Sequence, residues 1–123
     1  MSLVNVLITP APVDLYGVQG DTWIFTVRVP SDVDGEYVDF AGYTFLSQIR
    51  TNALSEDVLA TFDVTATGAT PQTYGVQVQL DPVDTAELPQ RAVWDLKMTD
   101  GDDVTRTYFA GDVHISFDVS RAA

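Results

Sequence analysis

The sequence predicts an all-β domain in which two sheets pack as an antiparallel sandwich. Apolar and polar residues alternate with a period of two along most of the chain, which is typical of strands that bury one face. Short segments rich in Gly, Pro and Asp separate the alternating runs, and such residues form turns. Runs of this length and spacing indicate about seven strands, as in sandwiches of the immunoglobulin-like type.

The alternating runs define the strands in chain order. They are "TWIFTVRV" (22–29), "YTFLSQIR" (43–50), "VLATFDVTA" (58–66), "YGVQVQL" (74–80), "VWDLKMT" (93–99) and "FAGDVHISFDV" (109–119), with "SLVNVLI" (2–8) as a further edge strand. The turn segments are "YGVQGD" (16–21), "PSDVDGE" (30–36), "TGATPQ" (67–72) and "DGDD" (100–103). Parity predicts that Trp94, Leu96 and Met98 lie in the core and that His114 lies on an outer face.

One segment, "DPVDTAELP" (81–89), departs from the alternation. Pro82 follows Asp81, and a proline in the first helical position after a capping Asp is a helix-start signal. Because Pro89 closes the segment, the sequence predicts one short helical turn near residues 82–88. We find no repeat, linker or change of composition, so we expect residues 1–123 to form a single domain.

The composition excludes several classes of function. The net charge is −12, from 18 acidic and 6 basic residues, and a chain this acidic repels phosphate backbones and anionic membranes. We therefore expect neither nucleic acid nor membrane as a partner. The absence of Cys excludes disulfides, thiolate metal sites and Cys nucleophiles. The N-terminus lacks the basic region of a signal peptide, so we expect the protein to be made and kept in a cytoplasm, or released without a secretion signal.

Two acidic clusters could be calcium sites, since calcium takes several oxygen ligands. The first cluster is Asp100, Asp102 and Asp103 in "DGDD", where Asp-Gly between alternating runs favours a hairpin turn. The second cluster is Asp32, Asp34, Glu36 and Asp39 around Gly35. Neither cluster has the spacing of a twelve-residue calcium loop. We interpret both as solvated loops and expect no metal.

No arrangement of residues indicates an enzyme. His114 is the only histidine, and Asp112 and Ser116 share its face of the strand. Alternate residues on a strand lie about 6.5–7 Å apart, which is too far for a relayed triad. The composition does not exclude a pair of carboxylates for glycoside hydrolysis, but no motif singles out such a pair. We expect no catalytic residue and no cofactor.

Exposed aromatic and edge-strand residues are the candidate contacts with a protein partner, because aromatics are enriched in interface centres and open edges pair with other chains. Tyr16, Tyr37 and Tyr108 are the candidate aromatics, and one of the consecutive Tyr108 and Phe109 should face outward. Tyr37 and Tyr108 are retained as candidate interface residues, together with Leu3, Val4, Val6 and Ile8 of the N-terminal run.

Several short motifs follow one another in order from about residue 17 to residue 121. A Gly-Asp-Thr-aromatic motif begins one strand, a Gly-Tyr-Thr motif begins the next, and a Gln-Ile-Arg motif ends it. A Leu-Pro then precedes Trp-Asp-Leu, Thr-Asp and Thr-Arg, and a final Gly-x-Val-x-Ile strand leads to Ser-Arg. The positions are Gly20, Asp21, Thr22, Trp23, Gly42, Tyr43, Thr44, Gln48, Ile49, Arg50, Leu88, Pro89, Trp94, Asp95, Leu96, Thr99, Asp100, Thr105, Arg106, Gly111, Val113, Ile115, Ser120 and Arg121.

This order resembles the small immunoglobulin-like domains of tailed-phage virion proteins, in particular the N-terminal domain of baseplate upper proteins and its free-standing relatives. The chain departs from the pattern at Gln90, where a Gly is usual, and by an extra acidic residue in "DGDDVTR". Because the sequence stops at Ala123, after the sandwich, we expect a free-standing head or tail accessory protein.

The resemblance implies a non-enzymatic virion protein that docks on or decorates a head or tail assembly, as a homo-oligomer or within a symmetric array of other virion proteins. The alternative is a carbohydrate- or cell-surface-binding module that uses exposed aromatics and acidic loops, with Trp23 and Tyr37 as candidate contacts.

Overall fold

The computed structural model describes residues 11–117, which form nine strands and one short helix. The elements are β1 (Ala11–Pro12), β2 (Leu15–Val18), β3 (Trp23–Val27), β4 (Thr44–Arg50), β5 (Val58–Thr61), β6 (Asp63–Thr67), β7 (Gly75–Leu80), α1 (Pro82–Thr85), β8 (Arg91–Thr99) and β9 (Thr105–Ser116). Among these residues no helix has the length and apolar run that a membrane crossing needs.

The strands form two sheets that pack face to face. The larger sheet has the order β1-β9-β8-β4-β5, with β2 also paired to β9, and the smaller sheet has the order β3-β7-β6. The fold is an immunoglobulin-like β-sandwich. The prediction of fold class is confirmed, but the strand count of seven is wrong, and β1 and β2 pair with β9 in parallel rather than antiparallel.

The first source of extra strands is the run at 58–66, which the alternation predicted as one strand. It divides into β5 of the larger sheet and β6 of the smaller sheet. Phe62 lies at the crossing, is only 4% exposed, and donates its backbone N–H to Ser47 O at 2.9 Å. Because the residue at the crossing is apolar and buried, the alternation of apolar and polar residues continues through it. The sequence pattern therefore does not reveal that the chain changes sheet.

The second source is the segment 11–18, part of which was predicted as a turn. Leu15–Val18 pairs with β9 as a strand, and the chain turns only afterwards, where Asp21 N–H donates to Val18 O at 3.2 Å. Between β1 and β2 the chain passes over Gly111, where a Cβ atom would overlap the carbonyl group of Val13. The predicted edge strand at 2–8 lies outside the described residues.

The core lies between the sheets and contains the predicted inward positions of β8. Trp94, Leu96 and Met98 are at most 3% exposed, which confirms their predicted burial. The Trp94 ring meets the Phe25 and Phe62 rings edge-to-face, with centroids 5.7 and 6.0 Å away, an arrangement that aromatic quadrupoles favour. The Trp94 Nε1–H donates to Val13 O at 2.8 Å, so this core side chain also holds the crossing between β1 and β2.

The helical turn near 82–88 is confirmed as α1, and it fixes the start of β3 through one buried side chain. The Thr85 Oγ1 accepts the Gly20 backbone N–H at 3.0 Å and donates to Asp21 O at 2.8 Å. Thr85 has no exposed surface, so these hydrogen bonds satisfy a buried hydroxyl. The helix is part of the scaffold.

A bulge places two consecutive aromatic residues of β9 toward the interior. The β8–β9 register pairs Leu96 with Phe109 and Lys97 with Thr107, which leaves Tyr108 as the extra residue. The two central residues of a bulge depart from strict alternation. Phe109 is accordingly buried and Tyr108 is partly buried against the core, so the expectation that one of them faces outward is wrong.

Candidate functional site

The outward side of the larger sheet is the most distinctive surface of the described chain, and we call it the outer face. Its residues occupy outward positions of five strands, and they include Tyr16, Leu46, Gln48, Arg50, Val58, Arg91, Val93, Asp95, Lys97, Asp112 and His114. Tyr16 is 76% exposed and Leu46 is 46% exposed. Buried positions alternate with less buried ones along β8 and along β9 from Asp112 onward, so the strand period itself assigns these residues to one side.

The outer face carries half of the protein's basic side chains. Three of the 6 basic residues, Arg50, Arg91 and Lys97, have outward positions there. The only acidic residues at such positions on described strands are Asp95 and Asp112. With Asp14, which lies at the β2 edge of this face beside Asp112, the outer face carries three acidic and three basic residues, so it lacks the acidic excess of a chain whose net charge is −12.

A hollow of about 230 Å³ lies near the middle of the outer face, between β4, β8 and the loop that follows β4. Arg50 is held at its rim because Nη1 donates to Ser55 O at 2.7 Å and Nη2 donates to Gln48 Oε1 at 2.9 Å. Desolvation raises the pKa of the nearby Asp95 above its ordinary value, while the charges of Lys97 and Arg50 act in the opposite direction. The lining residues are Leu46, Gln48, Arg50, Ala53, Val93, Trp94, Asp95 and Lys97.

A polar cluster at the β2 edge of the outer face combines residues from opposite ends of the chain. Ligand-type atoms of Asp14, Asp112 and His114 lie within 4.8 Å of one another, and Asp14 Oδ1 accepts the Asp112 backbone N–H at 3.0 Å. The Tyr16 ring stacks on the His114 ring with centroids 4.6 Å apart. Imidazole nitrogen and carboxylate oxygen atoms bind zinc at about 2.0–2.2 Å, and exposed acidic groups in such an arrangement are common without an ion.

The sequence placed Asp112 and His114 on one face, and the structure agrees, with His114 half-buried. Sequence reasoning missed Asp14 and the Tyr16 stack, because both depend on the parallel pairing of β2 with β9. The segment 11–18 offers only weak alternation, and it contains a Gly and a Pro that indicate turns.

The two predicted aromatic contacts lie near a second concavity, a cleft of about 330 Å³ between Arg28–Pro30 and the start of β9. Tyr108 lines this cleft, and its ring meets the buried Phe40 ring edge-to-face at 5.6 Å. Tyr37 is half-buried beneath the Arg28 guanidinium, which lies 5.8 Å from its ring centroid. The other predicted contacts, Leu3, Val4, Val6 and Ile8, lie outside the described residues.

The acidic cluster of the β8–β9 turn is held by local hydrogen bonds. Asp100 Oδ1 accepts the backbone N–H groups of Asp102 at 2.8 Å and Val104 at 3.1 Å. The predicted hairpin is confirmed. A carboxylate that accepts two backbone amides shapes a turn.

The chain was compared with known proteins at the level of family, sequence and structure. No family model matches the chain, and no curated protein matches its sequence. One similar solved structure is that of the NK cell receptor NKp44, which is described as a triggering partner in natural cytotoxicity. The two chains share 11% identity over 86% of this chain and 99% of the receptor chain, with a TM-score of 0.47.

Proposed function

We propose that this protein is a non-enzymatic structural or accessory component of a tailed-phage virion, and that it docks on a head or tail assembly through the outer face. The observation that carries the proposal is the outer face itself, an exposed sheet surface with an aromatic and an aliphatic residue on an otherwise acidic chain. Interfaces are depleted in acidic residues and enriched in Tyr and Arg. The biological setting rests on the order of the sequence motifs, which resembles that of phage virion domains.

The motif positions support a shared scaffold. Gly20 and Gly42 have φ of 84° and 87°, in the left-handed region that glycine adopts without strain, and Asp100 shapes the hairpin turn. These residues lie at turns and strand starts. Proteins that have the same residues at turns and strand starts can have the same fold, while their outward side chains differ.

Edge strands are a second means of attachment. In the described part of the chain β5 lies at one edge of the larger sheet, and β3 and β6 lie at the edges of the smaller one. An open edge accepts a strand from another chain. We propose that the N-terminal run containing Leu3, Val4, Val6 and Ile8 pairs in this way with a neighbouring virion protein.

The test is to purify intact virions and measure this protein by quantitative mass spectrometry. We expect many copies per particle, and its absence from washed particles would refute the proposal. In a complementation assay, Tyr16→Ala with Leu46→Ser should reduce incorporation, as should deletion of residues 1–9. Val83→Ser is the matched control, because Val83 is 74% exposed and lies on α1, away from the outer face.

Carbohydrate binding is the second candidate function. The observation that favours it is the exposed Tyr16 ring stacked on His114, with Asp112 close by. An aromatic platform beside hydrogen-bonding side chains suits a sugar ring. Trp23 is not a candidate contact, because it is 8% exposed and donates Nε1–H to Val18 O at 3.0 Å.

A glycan array with wild-type protein tests this candidate. A specific signal that Tyr16→Ala abolishes and Val83→Ser retains would support it, whereas an array with no signal would refute it. Trp23→Ala is the control for a signal lost through unfolding. We expect it to lower the free energy of unfolding by about 3–5 kcal/mol through loss of core packing.

A further inference from the structure

Acidic side chains concentrate at one end of the sandwich, which we call the acidic end. It consists of Asp32, Asp34, Glu36 and Asp39 in the loop after β3 and of Asp100, Asp102 and Asp103 in the β8–β9 turn. Thr44 pairs with Thr99, which brings the end of that loop and the β8–β9 turn to the same end of the larger sheet. Edge-to-face contacts of Phe40 with Tyr43 and Tyr108 tie the loop to this end.

The acidic end also presents an apolar tip. Val33 is 54% exposed and lies between Asp32 and Asp34. The tip is preorganised, because Glu36 N–H donates to Val33 O at 3.1 Å and Ser31 N–H donates to Glu36 O at 3.0 Å. A short apolar side chain flanked by two carboxylates is therefore displayed in a defined turn.

The hollow of the outer face has the complementary chemistry. Its lining is mixed and mainly polar: Leu46 and Val93 contribute apolar surface, while Arg50 and Lys97 supply two positive charges. Its volume of about 230 Å³ is below the usual range for small-molecule sites and is enough for one Val side chain. Asp95 is the one acidic residue of the lining, so the basic groups outnumber it.

We propose that the acidic end of one copy of this chain docks on the outer face of a second copy, with Val33 in the hollow and Asp32 and Asp34 facing Arg50 and Lys97. The contact joins two different surfaces, because two acidic ends would oppose like charges. Such a head-to-tail contact closes into a ring or continues as a filament. The contact would supply the repeated interface that the proposed virion role needs. It requires no other virion protein, so it can be measured on the purified chain.

The test is sedimentation velocity of the purified protein at physiological salt, over a concentration series up to the millimolar range. We expect reversible association that Lys97→Glu and Asp34→Lys each weaken by about tenfold, because like charges then face each other. Mixing the two variants should restore association, since the lysine introduced at the tip of one variant then meets the glutamate introduced on the outer face of the other. Val33→Ser should weaken association without any change of charge.

Two controls separate the contact from general charge effects. Asp84→Lys changes the net charge by the same amount as Asp34→Lys but lies on α1, and Val83→Ser removes an exposed valine from the same helix. Both should associate as wild type does. A wild type that stays monomeric throughout, equal effects of Asp34→Lys and Asp84→Lys, or no recovery on mixing would each overturn the proposal. Failure here leaves a virion location testable by mass spectrometry of particles.

Discussion

Substitution of Gly111 by Ala tests whether the crossing of the chain over β9 limits the stability of the fold. Gly111 lies opposite Trp94 in the β8–β9 ladder, and the chain between β1 and β2 passes directly over it. A Cβ atom at this position would overlap the Val13 carbonyl and lie 2.9 Å from Asp14 Oδ1. Because these are mainly backbone atoms held by strand pairing on both sides, the neighbours cannot move away as a flexible side chain would.

The expected loss combines overpacking with a broken hydrogen bond. Forcing a methyl group into a packed site costs about 1–3 kcal/mol. Displacing Val13 O also removes the acceptor of the Trp94 Nε1–H, now at 2.8 Å, and an unsatisfied buried donor costs about 1–3 kcal/mol. We expect Gly111→Ala to lower the free energy of unfolding by about 3 kcal/mol, which corresponds to roughly 10 °C in Tm for a domain of this size.

Urea unfolding followed by far-UV circular dichroism measures this loss, with Gly101→Ala as the matched control. A Cβ atom added at Gly101 would meet no other atom within 4 Å, and Gly101 has no positive φ, so its substitution should change stability by less than about 0.5 kcal/mol. Trp94→Phe should cost less when added to Gly111→Ala than when made alone, because both changes disrupt one hydrogen bond. A Gly111→Ala protein as stable as wild type would refute this account of the crossing.

Three further predictions concern the acidic side chains. Asp100→Ala should cost about 1–2 kcal/mol in urea unfolding, because two backbone N–H groups lose their acceptor, whereas Asp102→Ala should stay within about 0.5 kcal/mol of wild type. Millimolar calcium should leave Tm unchanged to within about 1 °C, and a rise of several degrees would show that these aspartates bind it. Desolvation raises the pKa of Asp95 above 3.8, so the folded chain holds this proton more tightly than the unfolded chain and the ionised form destabilises the fold. Asp95→Asn should therefore gain stability over wild type as pH rises from below 3.8 through the raised pKa, and an equal difference at about pH 3 and about pH 7 would contradict this.

The sequence by itself determined those features that depend on neighbouring residues. Alternation predicted the buried positions of Trp94, Leu96 and Met98, because a strand turns successive side chains to opposite sides wherever it lies. The β8–β9 hairpin and the turn of α1 followed from Asp-Gly and from Pro82, whose conformational preferences act locally. The excess of acidic over basic residues likewise follows directly from the composition.

Only the tertiary structure decided which distant segments meet. Phe62 crosses between sheets without breaking the alternation, and Tyr108 occupies a bulge that appears only when β9 is paired with β8. Asp14 contacts Asp112, 98 positions later in the sequence, because β2 pairs with β9 in parallel. The grouping of basic side chains on the outer face likewise required the strand order. Strand pairing joins backbone groups that are nearly the same for every residue, so local patterns carry little information about the partner that each strand takes.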